Sequence, residues 1–305
     1  MENLSRRRFI EAAGYLTGAA ILAGGSNGNA EAIVNKKQKV KVSGHIWVYA
    51  SKFPPKWDST PVIEQAFSDF QYAGIGGMEL MEINLRHDDA VSHLSGLVQQ
   101  YKVPVTGSSF GAPMWDATKH QEILDDAELV LSRLHQLDGK TFGVSVGDAG
   151  RLKTEAELDA QADLLNKIIP ICNKYEVVLN LHNHTYEVQN GLHDLKGTLS
   201  RIPDIKLGPD LNWLVRAGVD PVWFINTYGK QIVYMHIRDQ GSDHKWTETV
   251  GSGVTDFKAI AQALQQQQFS GRAAIELAFD NPPVNPIRDD WKNSLQYVRK
   301  TFDWA

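Results

Sequence analysis

VVLNLHNH (177–184), IKLGPDLN (205–212), IVYMHIRD (232–239) and AAIELA (273–278) are four short apolar runs, each carrying polar groups able to bind a metal. Alternate side chains of a strand point to opposite faces. Read as strands, the first run turns Val177, Leu179 and Leu181 one way and Asn180, His182 and His184 the other. The second opposes Ile205, Leu207 and Leu211 to Lys206, Gly208, Asp210 and Asn212. In the third, Val233, Met235 and Ile237 oppose Tyr234, His236 and Arg238; in the fourth, Ile275 and Leu277 oppose Glu276. Four successive strands thus carry polar groups on one face, close to their C-terminal ends.

Outward from these runs, strand-like and helix-like segments alternate along the chain. Strands are expected near 40–48, 75–81, 104–109, 141–147, 177–184, 205–212, 232–239 and 273–278. Helical patterns fall between and after them, near 61–73, 88–101, 119–137, 154–175, 191–201, 220–228, 256–268 and 287–302. Such alternation implies parallel strands joined by crossover helices. Eight units in one domain, 40–305, predict an α/β fold, a single (β/α)8 TIM barrel. A doubly wound open sheet is the alternative, but no G-x-G-x-x-G follows the first strand. Thr154 three residues before Glu157 is a capping box, Pro61 and Pro221 suit first-turn positions, and Gly74 and Gly229 suit helix ends.

Composition narrows the function. The 305 residues are 42% hydrophobic and 22% charged, which excludes a mainly disordered chain. A net charge of −5, with no basic run after the first residues, argues against nucleic acid as a partner. Residues 1–32 read as a leader: Arg6-Arg7-Arg8-Phe9, a mildly apolar stretch from Ala12 to Ala23, then Ala30-Glu31-Ala32. The paired arginines before Phe9 resemble a twin-arginine signal, which implies an exported, periplasmic protein with no stable membrane anchor. A short linker, 33–39, follows. The lone cysteine, Cys172, excludes an internal disulfide and lies in a helical apolar pattern, as a small buried hydrophobe would.

Asp210, His236 and Glu276 are the strongest metal-ligand candidates, one from each of three consecutive strands. A divalent ion needs oxygen or nitrogen donors converging from different elements. His182 stands at the equivalent height on the neighbouring strand, and His184 and Glu187 follow closely, so the fourth ligand stays open. Glu79 ends the second strand after two glycines. His45 and Trp47 share a face of the first strand, and Lys206 points inward on the sixth. The loop Gln240 to Thr255, with Lys245 and Trp246, is long for such a connection and is a candidate lid, as is FPPKWDS (53–59). Trp213 reads as a packing residue.

LHNHTYE, DLNWLVRAGVDP, VYMHIRD with the later Gly251-Ser252-Gly253, and IELAFD resemble the sugar phosphate isomerase/epimerase group of xylose isomerase-like barrels. The likeness covers nearly the whole chain after the leader. It implies one divalent ion, often manganese with zinc, cobalt or magnesium as alternatives, held by Glu, Asp, His and Glu from strands five to eight. Asp210, His236 and Glu276 match three of these, and His182 stands where the first glutamate is expected. The implied reaction is isomerisation or epimerisation of a small carbonyl-bearing carbohydrate. Glu276 leads as the proton-transfer group, followed by His184, Glu187 and Glu79. His45, Trp47, Lys206, Lys245 and Trp246 are expected to bind substrate. A lyase acting on keto-sugars is the alternative on the same scaffold. An exported sugar-binding protein without catalysis is a third, and a barrel nuclease lacks the multi-metal cluster and basic groove it would need. A homo-oligomer is compatible with the sequence.

Overall fold

The computed structural model describes residues 40–305, and the expected leader and linker lie outside them. Seven parallel strands form one sheet: β1 (Val42–His45), β2 (Met78–Met81), β3 (Val105–Gly111), β4 (Thr141–Ser145), β5 (Val178–Leu181), β6 (His236–Ile237) and β7 (Ala273–Glu276). Their order is β5-β4-β3-β2-β1-β7-β6, as a right-handed succession of βα units wrapped into a barrel would give. The helices are α1 (Trp47–Ala50), α2 (Ile63–Ala73), α3 (Glu82–Leu85), α4 (Ala90–Tyr101), α5 (His120–Gln136), α6 (Glu155–Lys174) and α7 (Thr185–Arg201), then α8 (Leu211–Arg216), α9 (Pro221–Tyr228), α10 (Phe257–Gln266) and α11 (Ile287–Phe302). Among the described residues no helix is long and apolar enough to cross a membrane.

The expected count of eight strands is not met. The run 205–212 contributes isolated parallel bridges instead, Leu207 to Leu181 on one side and to Ile232 on the other, with Asp210 bridging His236. Pro209 has no N–H to give a ladder, and the residues after Asp210 turn into α8. Most strands are also shorter than expected: β1 ends at His45, so Trp47 opens a helix, β5 ends at Leu181, just before His182, and β6 is two residues long.

Local signals work as the sequence implies. Thr154 Oγ1 accepts from Glu157 N–H at 3.3 Å while Glu157 Oε2 accepts from Thr154 N–H at 2.8 Å, which starts α6. Gly74 ends α2 at φ 77°, a conformation that costs a side-chain-bearing residue more. The helices cover the outer face of the sheet: Phe70 on α2 meets Trp291 on α11 edge-on at 4.7 Å, and both are fully buried.

Register puts the polar groups in one layer. His45 pairs with Glu79 on β2 and with Glu276 on β7. Gly208 is the tight point beneath that layer. A Cβ there would lie 1.8 Å from Asn180 Oδ1 and 3.3 Å from Tyr234. Gly208→Ala is therefore expected to destabilise the protein by about 1–3 kcal/mol, the usual penalty of overpacking. Urea denaturation measures it, and a variant within a few tenths of a kcal/mol of the parent would show that Asn180 relaxes freely.

Candidate active site

At the C-terminal ends of the strands lies a cavity of about 950 Å³, counting its open mouth. His45, Trp47, Met81, Glu82, Ser109, Ser145, His182, His184, Trp213, His236, Arg238, Trp246 and Glu276 contribute side chains to its wall.

Donor atoms of His182, Asp210 and His236 lie within 4.8 Å of one another. They come from the end of β5, the bridge segment before α8, and β6. Asp210 divides its carboxylate: Oδ1 accepts from the N–H groups of Asn212 and Trp213 at 2.9 and 3.1 Å, capping α8. Its other oxygen, Oδ2, faces Arg238 Nε at 2.9 Å. His236 is held between two carboxylates, with Nε2 2.5 Å from Glu79 and Nδ1 3.0 Å from Glu276. Glu79 also accepts from Tyr234 OH at 2.8 Å. Arg238 closes the ring of charge, its guanidinium paired with both Asp210 and Glu276.

Burial and charge set the protonation states. Burial would lower the His236 imidazolium, but Glu79 and Glu276 push it up to about 10. Burial would raise Glu276, but Arg238, His45 and His236 hold its carboxyl well below the usual range. Glu79 is likewise kept below its ordinary value against burial, chiefly by His236. At Asp210 burial prevails over Arg238 and the carboxyl rises. Burial, reinforced by the neighbouring His236 and His184, drops His182 well below the ordinary imidazole value, so it is neutral with a free lone pair. Its Nδ1 is buried with no hydrogen-bond partner among the described residues. A neutral imidazole with an orphaned nitrogen beside a histidine and a carboxylate is the donor set a divalent cation requires, so these residues fit one.

The other expected site residues divide. His45 lines the cavity beside Ser109, and Trp47 lines it from α1 with Trp57 tilted against it at 5.4 Å. His184 lines it too, its Nδ1 within 3.2 Å of Ser145 Oγ and 3.0 Å of Tyr186 OH. Trp246 is stacked under Arg216 at 3.3 Å, with Arg238 at 4.8 Å. Glu79 sits just beneath the wall. Glu187 does not reach the cavity. Both its oxygens take structural bonds, from Ser145 Oγ–H at 2.6 Å and from His184 N–H at 2.6 Å, as the capping residue of α7. Lys206 and Lys245 are exposed and outside the cavity wall. An ammonium with no buried partner is better left in water.

The long loop is fastened rather than loose. Asp239 Oδ2 accepts from Gly251 and Gly253 N–H at 2.9 Å each, and Oδ1 from Gln240 and Thr255 N–H. Four groups escape the sequence reading of roles. Arg238 faces inward on alternation, which gives its side but not its pairing. Trp213 reaches the cavity because Asp210 caps the helix that carries it. Ser145, the last residue of β4, holds His184. Glu82 follows the end of β2 and belongs to no alternation.

A parallel barrel with a cluster of charged donors at its C-terminal rim belongs to the class of folds that build their sites where the strands end. Residues 68–301 match the sequence profile of the xylose isomerase-like TIM barrel family, and the chain belongs to that family. Solved structures agree on the fold. A D-allulose 3-epimerase from Methylomonas sp. superposes with TM-score 0.70 at 16% identity, over 87% of this chain and 98% of its own. A sugar phosphate isomerase/epimerase from Parabacteroides distasonis gives 0.69 at 14%, over 88% and 97%. A 3-keto-D-glucoside 4-epimerase from E. coli gives 0.66 at 17%, over 86% and 100%. No curated protein matches the sequence significantly.

Proposed function

We propose that the protein is a divalent-metal-dependent sugar isomerase or epimerase that acts through an enediolate on a carbonyl-bearing carbohydrate. The observation that carries this reading is the convergence of His182, Asp210 and His236 donors beside the cavity that His182 and His236 line. The folds it shares with epimerases for D-allulose and 3-keto-D-glucosides support it. His182, Asp210 and His236 would hold the ion with Glu276 beside them, and nitrogen and oxygen donors suit manganese, zinc or cobalt. Bound there, the ion would polarise the substrate carbonyl as a Lewis acid.

The chain's own groups do the rest. Glu276 is ionised at neutral pH and lines the cavity, so it can take the proton α to the carbonyl. Arg238 keeps it ionised and presents positive charge where negative charge develops on the sugar oxygens. His45 and Ser109 offer hydrogen bonds to hydroxyls, and Trp47 closes one side of the cavity. Elimination by a keto-sugar lyase is the second reading. His182, a neutral imidazole where a symmetric two-carboxylate pair would need a glutamate, favours it.

The test is incubation in deuterated water with D-fructose and, separately, with methyl 3-keto-β-D-glucoside. Deuterium in a rearranged sugar is the expected result, and release of methanol with an unsaturated keto-sugar would assign the lyase. A fully metallated protein that exchanges no proton with either sugar would sink both readings.

A further inference from the structure

Among the described residues that line the cavity, the carboxylates are Glu82 and Glu276. They reach it from β2 and β7, the strands on either side of β1. Their surroundings differ in kind. Glu276 is gripped by Arg238 and His236, with His45 at 3.7 Å. Glu82, the first residue of α3, has one ion-pair partner, Arg86 at 3.7 Å. That guanidinium is already committed to Asp126, to which it donates at 2.9 and 2.7 Å. The Glu82 side chain is nonetheless 16% exposed, sheltered at the cavity wall beside Trp47 and Met81. Neither a cap nor a tight ion pair accounts for a carboxyl group in that place.

We propose that Glu82 is a second proton-transfer residue of this site, donating the proton that completes the reaction Glu276 begins. The assignment rests on the enediolate reading above. Two carboxyl groups that reach one cavity from either side of β1, one gripped by Arg238 and the other without a tight cation, are placed as a base and an acid of one site would be. Burial also pushes the Glu82 carboxyl up, opposed by Arg86 and its own N–H and reinforced by Asp126.

The proton count closes. Glu276 accepts the α-proton as the C–H bond breaks, its electron pair becoming the C=C bond while the carbonyl π pair moves to oxygen. The Glu82 O–H bond then breaks. Its proton joins the same carbon from the other face in epimerisation, or the departing oxygen in elimination; in isomerisation it joins the neighbouring carbon while the hydroxyl proton passes between the two enediolate oxygens. Glu82 regains a proton from water as Glu276 releases its own. This supplies the second carboxyl group that the imidazole of His182 does not.

The test compares Glu82→Gln and Glu82→Asp with the parent, all metal-loaded, on the same two sugars in deuterated water. Glu82→Gln is expected to bind metal normally and to wash deuterium into recovered substrate within about threefold of the parent rate. Product formation should fall by roughly 100-fold or more, the usual contribution of a positioned acid. Glu82→Asp should restore part of it. The active form holds Glu82 protonated, so parental turnover should decline as pH rises through the Glu82 pKa. That limb should vanish in Glu82→Gln. Product formation within threefold of the parent with the alkaline limb intact overturns the proposal, and so does joint loss of exchange and product in a folded, metallated Glu82→Gln. A parent inert to both sugars overturns the functional reading itself and this role with it.

Discussion

Arg238→Gln is expected to cost the metal-free protein about 3–5 kcal/mol of stability, the penalty of leaving buried charges uncompensated. The guanidinium is 4% exposed and is the shared partner of Asp210 and Glu276, themselves 0% and 4% exposed. Without it, the carboxylates of Asp210 and Glu276 lose their common cation in a buried layer that also holds Glu79. Part of the loss is relieved because burial already raises the Asp210 carboxyl, so that group can take a proton. A divalent cation should replace the missing positive charge. Added manganese is therefore expected to restore most of the Arg238→Gln stability, and to stabilise the parent less. Thermal melts with and without metal measure both effects. A metal-free Arg238→Gln protein as stable as the parent would show that the charges are compensated elsewhere.

The second large effect is on metal binding. Asp210→Asn keeps a side-chain oxygen able to cap α8 while removing the charged donor. It is expected to lower metal affinity by roughly 100-fold or more, with a smaller loss of metal-free stability than Arg238→Gln because Arg238 keeps Glu276 as a partner. His236→Gln should lose metal to a similar degree. In the parent, His236 lies between two carboxylates that push its imidazolium up to about 10. It must shed that proton before its nitrogen can coordinate. Metal affinity should therefore rise with pH through neutrality, by up to about tenfold per unit. Isothermal titration at three pH values gives the slope, and elemental analysis gives the stoichiometry. Variants that retain one ion per chain would remove Asp210 and His236 from the ligand set.

Much of this was readable because strand periodicity is a two-state code. Once 177–184, 232–239 and 273–278 are strands, His182, His236 and Glu276 must share the inner face. The same code fails at strand ends, where a residue's height along the barrel matters as much as its side. Lys206 obeys the alternation and still ends in solvent. Glu187 lies close in sequence to the histidines, but the capping geometry of α7 draws it away from the cavity. Gly208-Pro209 turns the expected sixth strand into bridges while leaving Asp210 where the strand would have put it. Glu82 and Trp213 belong to the first turns after strand ends, where sequence carries little signal of direction. Pairing is the other blind spot: alternation aims Arg238 inward, and only the fold reveals that two carboxylates await it.

The fastening of the 240–255 loop by Asp239 has a bearing on how this scaffold can diversify. The four N–H groups that Asp239 gathers lie at the two feet of the loop, and Trp246 is moored separately, its N–H donating to Asp280 at 2.7 Å. Ser242, Asp243, His244 and Lys245 stand outside that frame, exposed at the tip. The tip is thus a fringe on a fixed hem. Exchanges of the Ser242, His244 and Lys245 side chains leave the four Asp239 bonds untouched, so this tip can vary while the frame that carries it holds.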